Sequence, residues 1–231
     1  MIQVSISEEI ARKCPDLRLL VLGCSVRNGE SSPALWEEIG REEEAVRAAC
    51  KLEEINKWAP IRATRLAYKA FGKDPNRYRP SSEALRRRIL RGLPLYRIDN
   101  LVDLINLVSI RSGFSIGGFD ADKVQGGLLT LGVGREGELY HGIGRGELNI
   151  AGLPVYRDAA GGIGTPTSDE ERTKITPETT SLLMIINGYS GAEGLLEAGR
   201  YAADLLRRYA SAEALTAEWI APNGRELIAD L

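Results

Sequence analysis

The sequence is poor in the residues that most often build metal and nucleophile sites. It holds a single histidine, His141, and three cysteines, Cys14, Cys24 and Cys50, in 231 residues. One histidine excludes a histidine-rich metal centre, and any Ser-His-Asp or Cys-His catalyst would have to use it. His141 sits in ELYHGIG, a strand-like segment between glycines, and reads as a surface residue of a hairpin. The cysteines are odd in number and lack CxxC spacing, so they read as reduced thiols of a cytoplasmic protein rather than disulfides or zinc ligands. No apolar run approaches the length of a membrane span, and the opening MIQVS lacks the basic start and apolar core of a signal peptide. The net charge of −2 gives no overall reason to expect DNA or a membrane surface as partner. Residues 161–167 (GGIGTPT) are glycine-rich, but lack the Gly-Lys-Ser/Thr ending of a phosphate loop and the spacing of a dinucleotide fingerprint. No metal or cofactor is expected.

What is present is an ordinary globular composition, 43% hydrophobic and 27% charged, with no linker-like break. The chain reads as one α+β unit over residues 1–231. A helical, basic part runs to about residue 123, and a sheet-rich part follows. Residues 100–123 (NLVDLINLVSIRSGFSIGGFDADK) are the organising stretch. They read as a buried helix with Asn100 as N-cap and Asp103 as its capping-box partner, a stop at Gly113, then a Gly117-Gly118 turn. Ser109 reads as bonding back to the preceding turn. Asn106 is a mid-helix amide on a buried helix, so it either pins another backbone segment or faces a pocket.

Elsewhere, residues 17–23 (LRLLVLG) and 181–187 (SLLMIIN) read as buried strands. Ser32 with Pro33 opens a long helix. Residues 58–71 read as an amphipathic helix with Ile61, Leu66 and Ala70 inward, and Ser81 as the cap of the next helix. Residues 124–165 read as antiparallel hairpins, Ser168 and Glu171 as a capping box, and residues 192–209 as an amphipathic helix interrupted by Gly199.

The charge is uneven. Residues 57–91 carry eleven basic side chains against Asp74 and Glu83, a local +9. Trp58, Tyr68, Phe71 and Tyr78 lie in the same stretch. Cations beside exposed aromatics suit single-stranded nucleic acid, through phosphate neutralisation and base stacking. Arg77, Tyr78, Arg79, Arg86 and Arg87 are the candidate RNA contacts, and the loop trio 77–79 is the freest to reach a ligand.

The stretch NLVDLINLVSIRSGFSIGGFDADKVQG resembles the B3/B4 region of the bacterial phenylalanyl-tRNA synthetase beta subunit. There a segment of the form N-V-V-D-V-T-N-Y-V is followed by a glycine and then H-A-F-D-x-D-K. The matching residues here are Asn100, Val102, Asp103, Asn106, Val108, Gly113, Phe119, Asp120, Asp122 and Lys123. The resemblance covers roughly residues 60–230, includes RYRPSSEALRRRILRGLPLYRIDN and RTKITPETTSLLMIING, and is similar to free-standing members. It implies a mixed sheet with a ligand pocket between two lobes, and hydrolysis of mischarged tyrosyl-tRNA in that pocket. Ligand-binding residues implied on this basis are Asn106, Ser109, Gly117, Gly118, Asp120, Asp158 and Thr173. The chain departs from the motif at Ile105, where the family has threonine, and at Gly117, where it has the pocket histidine. The pocket glutamate falls near Ile186 or Asn187. The partners implied are tRNA or aminoacyl-tRNA, or an amino acid-like small molecule. Catalytic residues are not assigned, and a complete ligase is excluded because the aminoacylation core has no counterpart.

Overall fold

In the computed structural model, which describes residues 2–228 and 231, a helical layer and a second sheet pack on opposite faces of two central strands that are apolar on both sides. The larger sheet contains β2 (Arg18–Ser25), β3 (Ser115–Asp120), β9 (Ser181–Gly188), β10 (Glu213–Ala221) and β11 (Gly224–Ile228). Its order is β11-β10-β2-β9-β3, with every neighbouring pair antiparallel. The smaller sheet contains β1 (Gln3–Ile6), β4 (Leu128–Val133), β7 (Pro154–Asp158) and β8 (Gly161–Gly164), in the order β1-β4-β7-β8. Here β1 runs parallel to β4 and the other pairs are antiparallel. A short hairpin joins β5 (His141–Gly142) to β6 (Gly146–Glu147). The helices are α1 (Glu8–Lys13), α2 (Pro33–Ala49), α3 (Ala59–Ala70), α4 (Ser81–Leu90), α5 (Asn100–Ser112) and α6 (Leu195–Ala210).

Strand periodicity explains the layering, because successive side chains point to opposite faces. Along β2, Leu20 and Leu22 face α5 and α6, while Leu19 and Val21 face the smaller sheet. Along β9, Leu182, Met184 and Ile186 join the helical side, and Leu183 and Ile185 the sheet side. Both strands are therefore apolar on both faces, which is why each reads as a continuous hydrophobic run. Among the described residues, five of the six helices precede residue 113 and nine of the eleven strands follow it, while β1 and β2, from the first part, enter the smaller and the larger sheet respectively.

Several local expectations are corrected. Asp99, not Asn100, caps α5, accepting from the Val102 N–H at 2.9 Å. Asn100 sits one residue inside and donates to the Tyr209 carbonyl at the end of α6, 2.7 Å away. Asp103 closes no capping box; it accepts from Ser31 Oγ at 2.6 Å, Trp36 Nε1 at 3.1 Å and the Ile98 N–H at 3.2 Å, tying α2 and the segment before α5 to the helix. Burial raises its carboxyl above the usual range, against those three donors. Ser109 donates forward to the Phe114 carbonyl at 2.7 Å, not back. Gly113, left-handed at φ 79°, does end the helix. Gly117 and Gly118 form no turn: they lie in β3, paired with Ile185 and Met184 of β9. Within the glycine-rich stretch, residues 161–164 form strand β8. Pro80, without a side-chain cap, precedes α4, and Glu170 rather than Ser168 caps the single turn Glu171–Thr173. In α3, Ile61, Thr64, Ala67 and Tyr68 are inward, whereas Leu66 and Ala70 are exposed. The β10–β11 hairpin follows α6.

α6 buries Leu195, Ala198, Ala202, Leu205 and Leu206 against the larger sheet, as its apolar stripe requires. Gly199 lies on that face. A methyl there would stand 2.2 Å from Leu20 Cδ2, a side chain with no exposure. Alanine would gain about 1 kcal/mol of helix propensity but cost about 1–3 kcal/mol in overpacking. Gly199→Ala is therefore expected to lower the urea midpoint; a higher midpoint would show that β2 and α6 have slack between them.

Candidate functional site

A cavity of about 460 Å³ opens beneath α5. Its apolar wall comes from Val102, Ile105, Ile116 and Ile175, with Ile98 and Ile143 also contributing. Ile98 and Ile143 are 62% and 41% exposed, which puts two aliphatic side chains at the mouth. Polar groups converge from Asn106, Thr165, Ser168, Asp169, Lys174 and Thr176. A mainly apolar hollow with a few convergent polar groups is the usual form of a small-molecule site.

Asn106 lines this cavity and also a smaller one of about 90 Å³ between α2, α4 and α5, and its amide has no protein hydrogen-bond partner among the described residues. It projects from a helix whose other side chains are nearly all buried, so the amide is held in place without being consumed.

Asp169 is the group that reading the sequence missed. It lies beside β8, in an isolated antiparallel bridge with Gly164, and its carbonyl accepts from the Ile143 N–H at 3.0 Å. Its carboxylate accepts from the Gly118 N–H at 3.2 Å. Gly164 makes room for it, since a methyl there would stand 2.8 Å from Asp169 Oδ1; a methyl on Gly118 would instead stand 2.7 Å from Ile105 Cδ1, in the apolar wall. No arginine or lysine pairs with the carboxylate among the described residues. Burial pushes its pKa up to about 8, opposed only by the Gly118 N–H. The missed signal is a combination: glycines in two strands and a polar stretch (TPTSDEERTK) between them and β9. Only the strand pairing brings these together.

The other residues named from the resemblance are placed as follows. Ser109 and Gly118 line the cavity. Gly117 is absent from its lining; a side chain there would run into the Phe119 ring, 2.7 Å from its Cβ, which packs against the smaller sheet. Asp120 caps the turn Ala121–Lys123, accepts from Thr179 Oγ1 at 2.9 Å and pairs with Lys123 at 3.0 Å. Asp158 is held by Arg172 through two hydrogen bonds of 2.8 and 2.9 Å and by the N–H groups of Gln125 and Ala160, which together keep its carboxyl below the usual range against the cost of burial. Thr173 has no exposure and its hydroxyl is unpaired. None of Asp120, Asp158 and Thr173 lines the cavity. Asn187, one of the two positions near which the resemblance puts the family's glutamate, is buried between Tyr156 Oη and the Ser115 carbonyl at 2.6 and 2.9 Å.

The basic segment divides. Arg77 and Arg79 are exposed. Tyr78 is part-buried, with Lys73 Nζ 3.8 Å from its ring centre and Arg77 at 5.7 Å. Arg86 is only 2% exposed, so it is withdrawn from any nucleic-acid surface. Arg87 is spent on Glu83 at 2.8 Å and the Leu52 carbonyl at 3.3 Å. Ser81, two residues beyond Arg79, lines the cavity and donates its N–H to the Pro166 carbonyl at 2.7 Å, so the exposed arginines approach the cavity rim along the chain.

Among the described residues no group of three or more His, Cys, Asp or Glu side chains could hold a metal ion, and no helix is long and apolar enough to cross a membrane. The three cysteines are free thiols.

Among solved structures, the fold is similar to an N-terminal fragment of the phenylalanyl-tRNA synthetase beta-subunit from Pyrococcus horikoshii, with a TM-score of 0.54 and 13% identity. The match covers 99% of this chain and 55% of that one, so the chain spans little more than half of that fragment. Sequence comparison with curated proteins gives no match. The sequence profile of the B3/4 domain matches residues 63–210, which include α4, α5, α6, the cavity, β3 and β9 of the larger sheet, and β4, β7 and β8 of the smaller one. The chain belongs to the B3/4 domain family.

Proposed function

We propose that the cavity beneath α5 receives the aminoacyl end of an aminoacyl-tRNA and that the protein hydrolyses the ester in trans. The observation that carries this reading is Asp169, a carboxyl in the cavity wall that accepts from the Gly118 N–H, has no cation beside it among the described residues, and is pushed up to about 8 by burial. A carboxyl so tuned can take a proton from water at near-neutral pH. In the step, the water oxygen bonds to the ester carbon, its proton passes to Asp169, and the ribose oxygen leaves and is protonated. Asn106 can donate its amide to the ester carbonyl, and the isoleucine wall can hold an aliphatic or aromatic side chain. Arg77 and Arg79 supply phosphate contacts beside the rim, so retention of tRNA should weaken as salt rises.

The experiment is a panel of mischarged tRNAs incubated with purified protein, with release of free amino acid followed over time. At least one should be deacylated well above the spontaneous rate. No deacylation together with no tRNA retention at low salt would overturn the reading.

A second reading is a binding module for an amino acid-like molecule without hydrolysis. Ile105 and Gly117 favour it, since the family's motif is polar at both positions and here one is aliphatic and the other faces Phe119. A thermal shift with a free amino acid, and none with tRNA, would select it.

A further inference from the structure

The cavity beneath α5 holds a second carboxylate, which the proposed hydrolysis does not use. Asp99 lines it and is only 4% exposed. Its Oδ1 accepts from the Val102 N–H at 2.9 Å. Its Oδ2 has no hydrogen-bond partner among the described residues and is not sealed within the protein, so it opens on the cavity. No lysine or arginine pairs with it among the described residues. Lys174, which also lines the cavity, pairs with Glu171, and Arg97, two residues before Asp99, lies over the Trp36 ring at 4.4 Å. Asp103, one turn further on, adds charge of the same sign. A carboxylate this buried costs free energy unless a positive group meets it. Asp99, Val102, Asn106 and Ser109 all line the cavity, at the i, i+3, i+7 and i+10 spacing that puts them on one face of α5.

We propose that Asp99 is a specificity-determining residue: it receives the α-ammonium of the bound aminoacyl group, so the site takes aminoacyl groups with a free α-amine and refuses N-acylated ones. This deepens the proposed function and rests on its placing of an aminoacyl group in the cavity. The spacing suits that ligand. Seven residues of helix separate Asp99 from Asn106, a rise of about 10 Å. A carboxylate, an α-ammonium, the neighbouring carbonyl and an amide, joined by two hydrogen bonds of about 2.9 Å, cover a similar span. With the ammonium on Asp99, the carbonyl falls to the Asn106 amide and the side chain to the isoleucine wall, which leaves Asp169 to the water. An N-acyl group removes the positive charge and adds bulk where the carboxylate stands.

The test is a binding measurement, which needs no hydrolysis. Isoleucinamide, N-acetylisoleucinamide and the same amide lacking its amine are titrated calorimetrically at about pH 6.5, below the usual α-amino pKa of about 7.7–8.0. Isoleucinamide should bind at least about tenfold more tightly than the other two, as one charge-assisted hydrogen bond provides. Asp99→Asn keeps the cap, because its side-chain oxygen can still accept from the Val102 N–H, and should abolish the preference. If that variant does not fold, Asp99→Ser, also a capping residue, serves instead. Asp169→Asn should retain the preference. Equal binding of the three amides, no binding of isoleucinamide, or a preference lost in Asp169→Asn and kept in Asp99→Asn would each overturn the proposal. Failure of the hydrolytic reading looks different: no mischarged tRNA is deacylated, yet the preference for isoleucinamide persists. Equal cleavage of an aminoacyl-tRNA and its N-acetylated form would overturn the role of Asp99 alone.

Discussion

Glu83→Gln is expected to destabilise the protein by about 3–5 kcal/mol, the usual cost of breaking a buried ion pair from one side. Glu83 has no exposed side-chain surface. Its two carboxylate oxygens each meet a guanidinium at 2.8 Å, Arg65 from α3 and Arg87 from α4. Arg65 goes on to the Pro75 carbonyl at 3.1 Å and Asn76 Oδ1 at 2.7 Å, and Arg87 to the Leu52 carbonyl. One carboxylate thus fixes two helices, the loop that carries Arg77 and Arg79, and the segment before α3. Glutamine keeps the shape but leaves two cations facing each other at low exposure. Urea unfolding gives the number. A companion variant separates charge from packing: replacing Arg65, Glu83 and Arg87 together by apolar residues of similar volume should recover much of the loss, as burying no charge avoids the desolvation cost. A loss below about 1 kcal/mol for Glu83→Gln would place the triad with ordinary surface pairs.

The same triad shows what the sequence could and could not convey. A run of arginines with neighbouring aromatics has the composition of a nucleic-acid surface, and nothing local distinguishes Arg79, which is exposed, from Arg86, which is buried against Trp58. The burial of Arg86 and the engagement of the partly exposed Arg87 depend on Glu83, Cys50 and carbonyls of other segments, contacts that no run of arginines displays. The elements that were legible are those whose pattern repeats over their length: β2, β9, α2 and α6. In α5 the pattern fixed the helix and its glycine stop, but the adjacent Asp99 and Asn100 are both good caps, and only the hydrogen bonds choose between them. β3 was hidden because two consecutive glycines favour a turn until the ladder to β9 holds them extended. For the site, Asn106 was legible as a polar residue that its helix does not need. Asp169 was not, because its significance lies in what surrounds it: the absent side chain of Gly164, one N–H and no cation.

Asp169→Asn therefore separates chemistry from stability, since its two expected effects have opposite sign. If the carboxylate takes the proton from water, hydrolysis falls by about 10²–10⁴-fold in the variant. The wild-type rate should rise with pH to a plateau above about 8, where the carboxyl is ionised, and the variant should lose that rise. Stability moves the other way. The carboxyl titrates near 3.8 when solvated and near 8 in the folded chain. Raised in the folded state, it favours folding fully below about pH 3.8, and that contribution is lost as pH rises through about 8. Asparagine carries no such dependence. The variant's melting temperature should therefore gain on the wild type between pH 4 and 8 and stay above it at alkaline pH. Lower activity with no gain in stability would mean that the carboxyl is not desolvated in the cavity, and that Asp169 acts only through its contact with Gly118. Higher stability with unchanged hydrolysis would move the base elsewhere and leave the cavity as a binding site, the second reading of its function.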